Sequence, residues 1–283
     1  MQSNTSQPLF TIITSTLNAM DSVERCIESV SAQTFDNYEY IVVDGASTDG
    51  TAEFLNSHKE LFSVLISEPD TGIYNAWNKA LKHARGEWIL FLGADDILAD
   101  PEVLRDTEEF LKKTQASDGI VYGDLMLVSQ KAGKDRERLH IPPEKIGRRS
   151  FLDLIPSIPP HPAVFHNKKV FSDFSFDESY RIAADSKLLL SVLAREKAPV
   201  LYFPRIINRM TVGGVSSKIG ATTFFEELRL LRELKINIPF AACLWCFCKN
   251  YIKLFFSITL GDQVSYKLID QVRRLKGKPK LWT

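Results

Sequence analysis

Four short apolar runs punctuate the first third of the chain, and each is followed by a polar cluster. Phe10–Thr16, Tyr40–Asp44, Val64–Ile66 and Trp88–Leu92 are rich in branched and aromatic side chains without polar alternation. That is the pattern of strands buried on both faces. Between the first two, Val23, Ile27 and Val30 recur at helical spacing, with Asp21 and Ser22 as candidate N-caps. Ile73 to Ala84 reads as a second helix with Trp77, Ala80 and Leu81 inward, closed by Arg85-Gly86. Strands and helices in this order predict an α/β domain: a mostly parallel, doubly wound sheet with helices on both faces. No internal repeat or low-complexity tract interrupts it.

The pattern thins in the second half. Pro159-Pro-His-Pro-Ala-Val-Phe165 is a Pro-rich turn entering a strand, and His161 reads as a loop residue or as a group facing the site. Leu188, Leu189 and Val192 define a helix from Ala184, placing Asp185 in its first turn. Val212–Ser217 is a Gly/Ser segment between an apolar strand and a helix with a Phe224, Leu228, Leu231 stripe. Residues 1–217 therefore form the expected core domain, and 218–283 a C-terminal helical appendage. Ile238 to Leu260 is apolar and aromatic, but Lys249 and Lys253 interrupt it. Crossing a bilayer takes roughly 20 apolar residues with few charges, so a spanning helix is disfavoured. A helix lying in the membrane interface is expected instead, with packing on the domain as the alternative.

Charge supports the interfacial choice. The 283 residues carry a formal net charge of +0, which gives no general attraction to nucleic acid. From Ile236 onward, however, eight Lys/Arg face only two acids, Asp262 and Asp270. A tail of +6 suits an anionic surface. The cysteines Cys26, Cys243, Cys246 and Cys248 lack a second cluster that would complete a zinc site, so they read as structural thiols in a reducing compartment. Met1–Gln7 is polar and shows no secretory pattern, so the expected location is cytoplasmic, peripheral to the inner face of the membrane.

Chemistry gathers where the strands end. The ends are Thr14-Ser15-Thr16-Leu17-Asn18, Asp44-Gly-Ala-Ser-Thr-Asp-Gly-Thr51, Glu68-Pro-Asp-Thr-Gly-Ile-Tyr-Asn75 and Gly93-Ala-Asp-Asp96. Ligands of open α/β sheets bind outside the carboxyl ends of the strands. Each segment alone is more often an ordinary turn or helix cap. Four in succession make a binding edge. Asp95 and Asp96 repel each other and lose hydration if buried, and a hard divalent cation shared with phosphate oxygens compensates.

These residues resemble family 2 glycosyltransferases. The match runs through Thr11–Asn18, Gln33-Thr-Phe35, Val43–Thr51, Ser67–Asn75, Asn78-Lys-Ala80 and the Asp95-Asp96 pair. It is dense over residues 9–100 and thinner to about 217. The resemblance implies the GT-A fold, with residues 8–100 as the nucleotide-sugar half and 101–217 as the acceptor half. It also implies an inverting, metal-dependent sugar transfer from a nucleotide-sugar to a hydroxyl of a glycan or lipid-linked glycan, in surface polysaccharide synthesis. By the same resemblance Ser15 and Thr16 line the base pocket, Asp44 contacts the nucleobase, and Asp95 lies near the ribose or first phosphate. Asp96 then coordinates Mn²⁺ or Mg²⁺, and Asp185 is the general base. The family's D-x-D pattern appears here as Ala94-Asp95-Asp96, which leaves one clear metal carboxylate. Asp185 also reads as a plain helix-terminal acid.

Two rivals stay open. A sugar-nucleotidyltransferase needs a Gly-rich, basic loop after the first strand, and Thr14–Met20 has neither feature. A non-catalytic sugar-binding relative would keep the same edge. A dehydrogenase is disfavoured because no G-x-G-x-x-G follows the first strand.

Overall fold

In the computed structural model of the chain, the described residues are 7–128, 135–150, 153–172, 174–195, 198–211, 221–238, 240–260, 262–275 and 279–280. The predicted alternation is present: β1 (Phe10–Thr16), α1 (Met20–Ser31), β2 (Tyr38–Asp44), α2 (Thr51–Ser57), β3 (Val64–Ser67), α3 (Ile73–Leu81) and β4 (Trp88–Gly93). These strands pair in parallel in the order β3-β2-β1-β4. Register sets the site: Thr16 lies beside Asp44, and Ser15 beside Gly93. All the polar strand ends therefore reach one edge.

The second half continues the sheet with mixed polarity. Its elements are β5 (Ile97–Leu98), α4 (Val103–Thr114), β6 (Ile120–Val128), β7 (Asp135–Leu139), β8 (Val164–Asn167), α5 (Ala184–Leu193) and β9 (Val200–Thr211). β8 runs antiparallel between β4 and β6, β9 runs parallel to β6, and β5 and β7 pair antiparallel with β9 and β6. Strands β5 to β7 have no counterpart in the sequence reading. β6 carries Gly123 and Asp124 inside its apolar run, which disguises a strand.

Side chains alternate across the sheet and build one core on each face. Ile13, Ile41, Phe91, Ile120 and Tyr122 pack with Tyr74 and Trp77 of α3 and with Leu188 and Leu189 of α5. Ile12, Tyr40, Val42, Leu90 and Val121 pack with Val23, Ile27 and Val30 of α1 and with Leu104 and Leu111 of α4. Full burial of each large apolar side chain contributes about 1.5–3 kcal/mol, so these two layers hold the edge rigid.

Three helices follow: α6 (Ala221–Glu233), α7 (Phe240–Leu260) and α8 (Asp262–Leu275). Phe224, Leu230, Leu231 and Cys246 join the core on the α5 face. Ala242 and Cys246 are buried, whereas Phe240, Leu244, Phe247 and Tyr251 share the opposite side of α7 and are exposed, Phe240 to 81%. One side of α7 is thus packed on the domain and the other forms an apolar stripe. Arg273 of α8 is paired with Glu137 of β7. Among the described residues no helix is long and apolar enough to cross a membrane. All four cysteines are free thiols. Cys26 and Cys246 are buried, but Cys248 is exposed and does not pack as a small hydrophobe. The segment Val212–Ser217 and the side chains of Lys249 and Lys253 lie outside the described residues.

Candidate active site

Two loops build the floor of the edge by bonding to each other. Asn18 donates its backbone N–H to Ser47 Oγ at 2.7 Å and accepts from the N–H of Thr48 at 2.9 Å. The N–H groups of Ala19 and Met20 donate to Thr51 Oγ1 and Asp49 Oδ2. Asn18 (φ 50°) and Ala46 (φ 62°) are both left-handed. Asparagine tolerates that conformation, whereas alanine there stores about 1 kcal/mol or more of strain. Gly45 explains part of the shape: a Cβ there would come within 2.6 Å of Asp70 Oδ2.

Asp44 is wholly buried and braces this loop. Oδ1 accepts from Ser47 Oγ at 2.5 Å, and Oδ2 accepts from Ser47 N–H at 3.1 Å and from Ser67 Oγ at 2.8 Å. A carboxylate offers about four acceptor positions, so one remains. Thr16 is buried beside it with its hydroxyl unpartnered, and Ser15 is half-buried one residue earlier.

The acidic pair occupies the turn from β4 into β5. A Cβ on Gly93 would lie 3.0 Å from Asp96 Oδ2 and 3.1 Å from Asp95 Oδ1, so a larger residue there would push both carboxyls back from the strand end. Asp96 is buried, and its Oδ1 has no hydrogen-bond partner. Burial pushes its carboxyl well above the usual range, and the neighbouring Asp95 charge adds to this. Asp95 is half-buried and raised for the same reason, loss of hydration. The Thr211 hydroxyl, at the end of β9, donates to the Asp95 carbonyl at 3.1 Å. A cation fits this donor set, because it would fill the orphaned oxygen and relieve both charges. The described residues contain no group of three or more protein ligands, so the remaining ligands of such an ion would have to be oxygens of a bound diphosphate or water.

Asp185 enters from the face carrying α3 and α5. Loss of hydration pushes its carboxyl up to about 6, against a hydrogen bond from the Ser186 N–H at 2.6 Å and one from the Tyr74 hydroxyl at 3.4 Å. It also satisfies one first-turn N–H of its own helix, that of Ser186. The N-cap is Ala183, and no side chain serves that position. Glu226 of α6 clasps the turn just before the helix, accepting from the backbone N–H groups of Arg181, Ile182 and Ala183 at 2.8, 2.9 and 3.0 Å. The sequence reading missed Glu226, which lies 41 residues beyond Asp185 in an ordinary amphipathic helix.

The neighbouring acids are already committed. Asp177 loses some hydration, but hydrogen bonds from Lys187 and Ser179 hold it at about 2. Glu178 is lowered by bonds from Asn78 and Asn75, each 2.8 Å. His161 does not face the site. It is buried against Trp77 and Phe91, and burial beside His166 keeps it well below its usual range. Pro160 and Pro162 fold that segment inward as a single turn of 3₁₀ helix.

Comparison with known proteins identifies the family. The family model described as glycosyl transferase family 2 matches residues 11–171. The chain is 28% identical over 240 residues to a PGL/p-HBAD biosynthesis glycosyltransferase of Mycobacterium bovis, covering 82% of this chain and 88% of that one. It is 33% identical over 113 residues to the putative teichuronic acid biosynthesis glycosyltransferase TuaG of Bacillus subtilis, covering 39% of this chain and 45% of TuaG. Among solved structures, the mannosyltransferase PcManGT of Pyrobaculum calidifontis, in complex with GDP-Man and Mn²⁺, shares the fold with a TM-score of 0.61. That likeness covers 96% of this chain and 81% of PcManGT at 18% identity, and it agrees with the expected GT-A architecture. Since the family model spans more than half of the sequence, from β1 into the turn after β8, the chain belongs to glycosyl transferase family 2 and is a glycosyltransferase.

Proposed function

We propose that the enzyme is an inverting, metal-dependent transferase. It moves a sugar from a nucleotide-sugar to a hydroxyl of a glycan or lipid-linked acceptor during surface polysaccharide synthesis. The observation that carries the reading is the contrast among acids. Asp96 has an orphaned oxygen at the donor edge, Asp185 is raised to about 6, and Asp177 and Glu178 are held low by hydrogen bonds that occupy their oxygens. A base poised near neutrality suits removal of the proton from an attacking hydroxyl.

In this reading the donor lies across the ends of β1, β2 and β4. Ser15 and the free hydroxyl of Thr16 meet the base, and the remaining acceptor position of Asp44 takes a nucleobase N–H. Asp95 faces the ribose or first phosphate, and Asp96 holds Mn²⁺ or Mg²⁺. Such an ion, when bound, would neutralise the diphosphate leaving group. Asp185 accepts the acceptor's proton while Tyr74 and the Ser186 N–H keep its carboxyl oriented. PcManGT supports the ion, through the Mn²⁺ and GDP-Man of its complex, and TuaG supports the kind of product. The exposed stripe of α7 and the basic tail support peripheral contact with an anionic membrane on the cytoplasmic side.

The test is a thermal-shift screen of nucleotide-sugars with Mn²⁺ or Mg²⁺, followed by NMR of the anomeric configuration of the product. Stabilisation by one donor and inversion at its anomeric carbon are expected. Retention, or stabilisation by no nucleotide-sugar, would overturn the reading.

A further inference from the structure

A second polar network lies away from the donor edge. Ile120, Tyr122 and Asp124 alternate onto the face of β6 whose core includes Ala184 and Leu188 of α5, the helix of Asp185. Asp124 is wholly buried. Its Oδ1 accepts from His140 Nδ1 at 2.9 Å and the Tyr202 hydroxyl at 3.2 Å, and its Oδ2 accepts from the Arg138 guanidinium. The Tyr202 ring packs on Tyr122 and His140, with centroids 5.3 and 5.1 Å apart. A buried carboxylate thus locks two exposed side chains, leaving His140 Nε2 and the outer guanidinium N–H groups for an external partner.

A second observation points the same way. The register of β7 on β6 slips between Leu127 and Val128, which makes Arg136 the extra residue of a bulge. Bulges re-aim side chains. Arg136 Nε is buried and has no hydrogen-bond partner among the described residues. The next acid, Glu137, is taken by Arg273 of α8. Arg138 offsets the charge of Asp124, and Arg136 brings a second guanidinium on the same strand. A guanidinium N–H without a protein acceptor, two residues along the chain from an oriented guanidinium and four from an oriented imidazole, matches a phosphate or carboxylate oxygen.

We propose that Arg136, Arg138 and His140, set by Asp124 and Tyr202, form a subsite for an anionic group of the acceptor, a phosphodiester or a uronate carboxylate. This rests on the proposed reading of Asp185 as the base, because it places the acceptor on that face of the sheet. The subsite makes charged glycans the preferred acceptor class. It assigns β7, absent from the sequence reading, to acceptor recognition.

The experiment uses the full chain with [¹³C]histidine and follows the imidazole Cε1–Hε1 signals by NMR. Glycerol 1-phosphate and methyl glucuronide are titrated separately, with methyl glucoside as the neutral control. The His140 signal, assigned with His140→Gln, should move saturably with one or both anions and not with the glucoside. Their relative affinities identify the group. Arg138→Gln should weaken this binding by at least about tenfold, the worth of one charge-assisted hydrogen bond. Arg136→Gln, which removes an Nε–H that has no protein acceptor, should weaken it as well and guards against misfolding of the first variant. Equal shifts at His58 and His83, an equal response to methyl glucoside, or undiminished binding in Arg136→Gln and Arg138→Gln would overturn the proposal. Nucleotide-sugar stabilisation measured on the same samples reports on the donor reading separately.

Discussion

The hydroxyl of Tyr74, in the first turn of α3, donates to Oδ1 of Asp185, in the first turn of α5, at 3.4 Å. One bond thereby couples the donor half of the sheet to the candidate base. It favours the ionised carboxylate, while burial opposes ionisation and prevails, leaving the group at about 6. Transfer needs the ionised form, so kcat/KM should fall as the pH drops through about 6. Tyr74→Phe removes the favourable bond and should move this limb upward by less than about one unit, since a neutral hydrogen bond contributes roughly 1 kcal/mol. A downward move would sever the two residues functionally.

Asp185→Asn should lower kcat by about 10²–10⁴-fold, with donor stabilisation nearly unchanged. It should also remove a pH effect on stability. Because the folded carboxyl binds its proton more tightly than the unfolded one, its contribution to stability is complete below the ordinary carboxylate range. That contribution is lost as pH rises through about 6. Asparagine resembles the protonated acid, so denaturant titrations of wild type and variant should nearly coincide at about pH 4 and separate by about pH 7, with the wild type the less stable. Near-normal kcat in the variant would reassign the base.

Asp96→Asn should abolish transfer while leaving the fold intact, because it relieves a buried acid whose Oδ1 has no protein partner. EDTA should act likewise, with recovery on adding Mn²⁺ or Mg²⁺. Turnover that persists undiminished in EDTA would remove the ion from the mechanism.

Glu226→Ala leaves three backbone N–H groups at the head of α5 without their acceptor. A cost of about 1–3 kcal/mol is expected in stability. Loss of kcat should accompany it, with stabilisation by the nucleotide-sugar retained. Circular dichroism melts and single-turnover rates on the same sample separate the two effects. Equal loss of donor stabilisation would point to collapse of the whole sheet edge.

Flotation with anionic liposomes tests the tail. The full chain should float at low salt and be partly released at high salt, as screening shortens the range of the basic residues. Phe240→Ser and Leu244→Ser, on the exposed stripe of α7, should weaken flotation while leaving the ring contact of Phe247 with Phe224 in place. A full-length protein that ignores the liposomes at low salt would leave the stripe to another role.

The donor half was legible because parallel strands buried on both faces read as apolar runs, and the turn after each run is local in sequence. Ser15, Thr16, Asp44, Asp95 and Asp96 all reach one edge for that reason. What the sequence concealed is non-local. Glu226 reaches the start of α5 from another helix, and Asp124 meets Arg138 and His140 across the pairing of β6 with β7, whose charged residues do not read as a strand. A charge inside the run Ile120–Val128 was the available clue, since a buried carboxylate needs partners. His161 shows the opposite error. Its polar type suggested chemistry, and its neighbours Trp77 and Phe91 make it core.

The clasp of Glu226 on residues 181–183 also bears on how the protein can be cut. A fragment ending at 217, where the Gly/Ser segment invites a break, would lose Glu226 and with it Glu233, the partner of Lys187 and Tyr180. The loop bearing Asp177 would then keep Lys187 but lose the acid that shares it. Shortened versions meant for crystallisation or solution work should therefore extend at least through α6. They should begin to shed the apolar stripe only at α7.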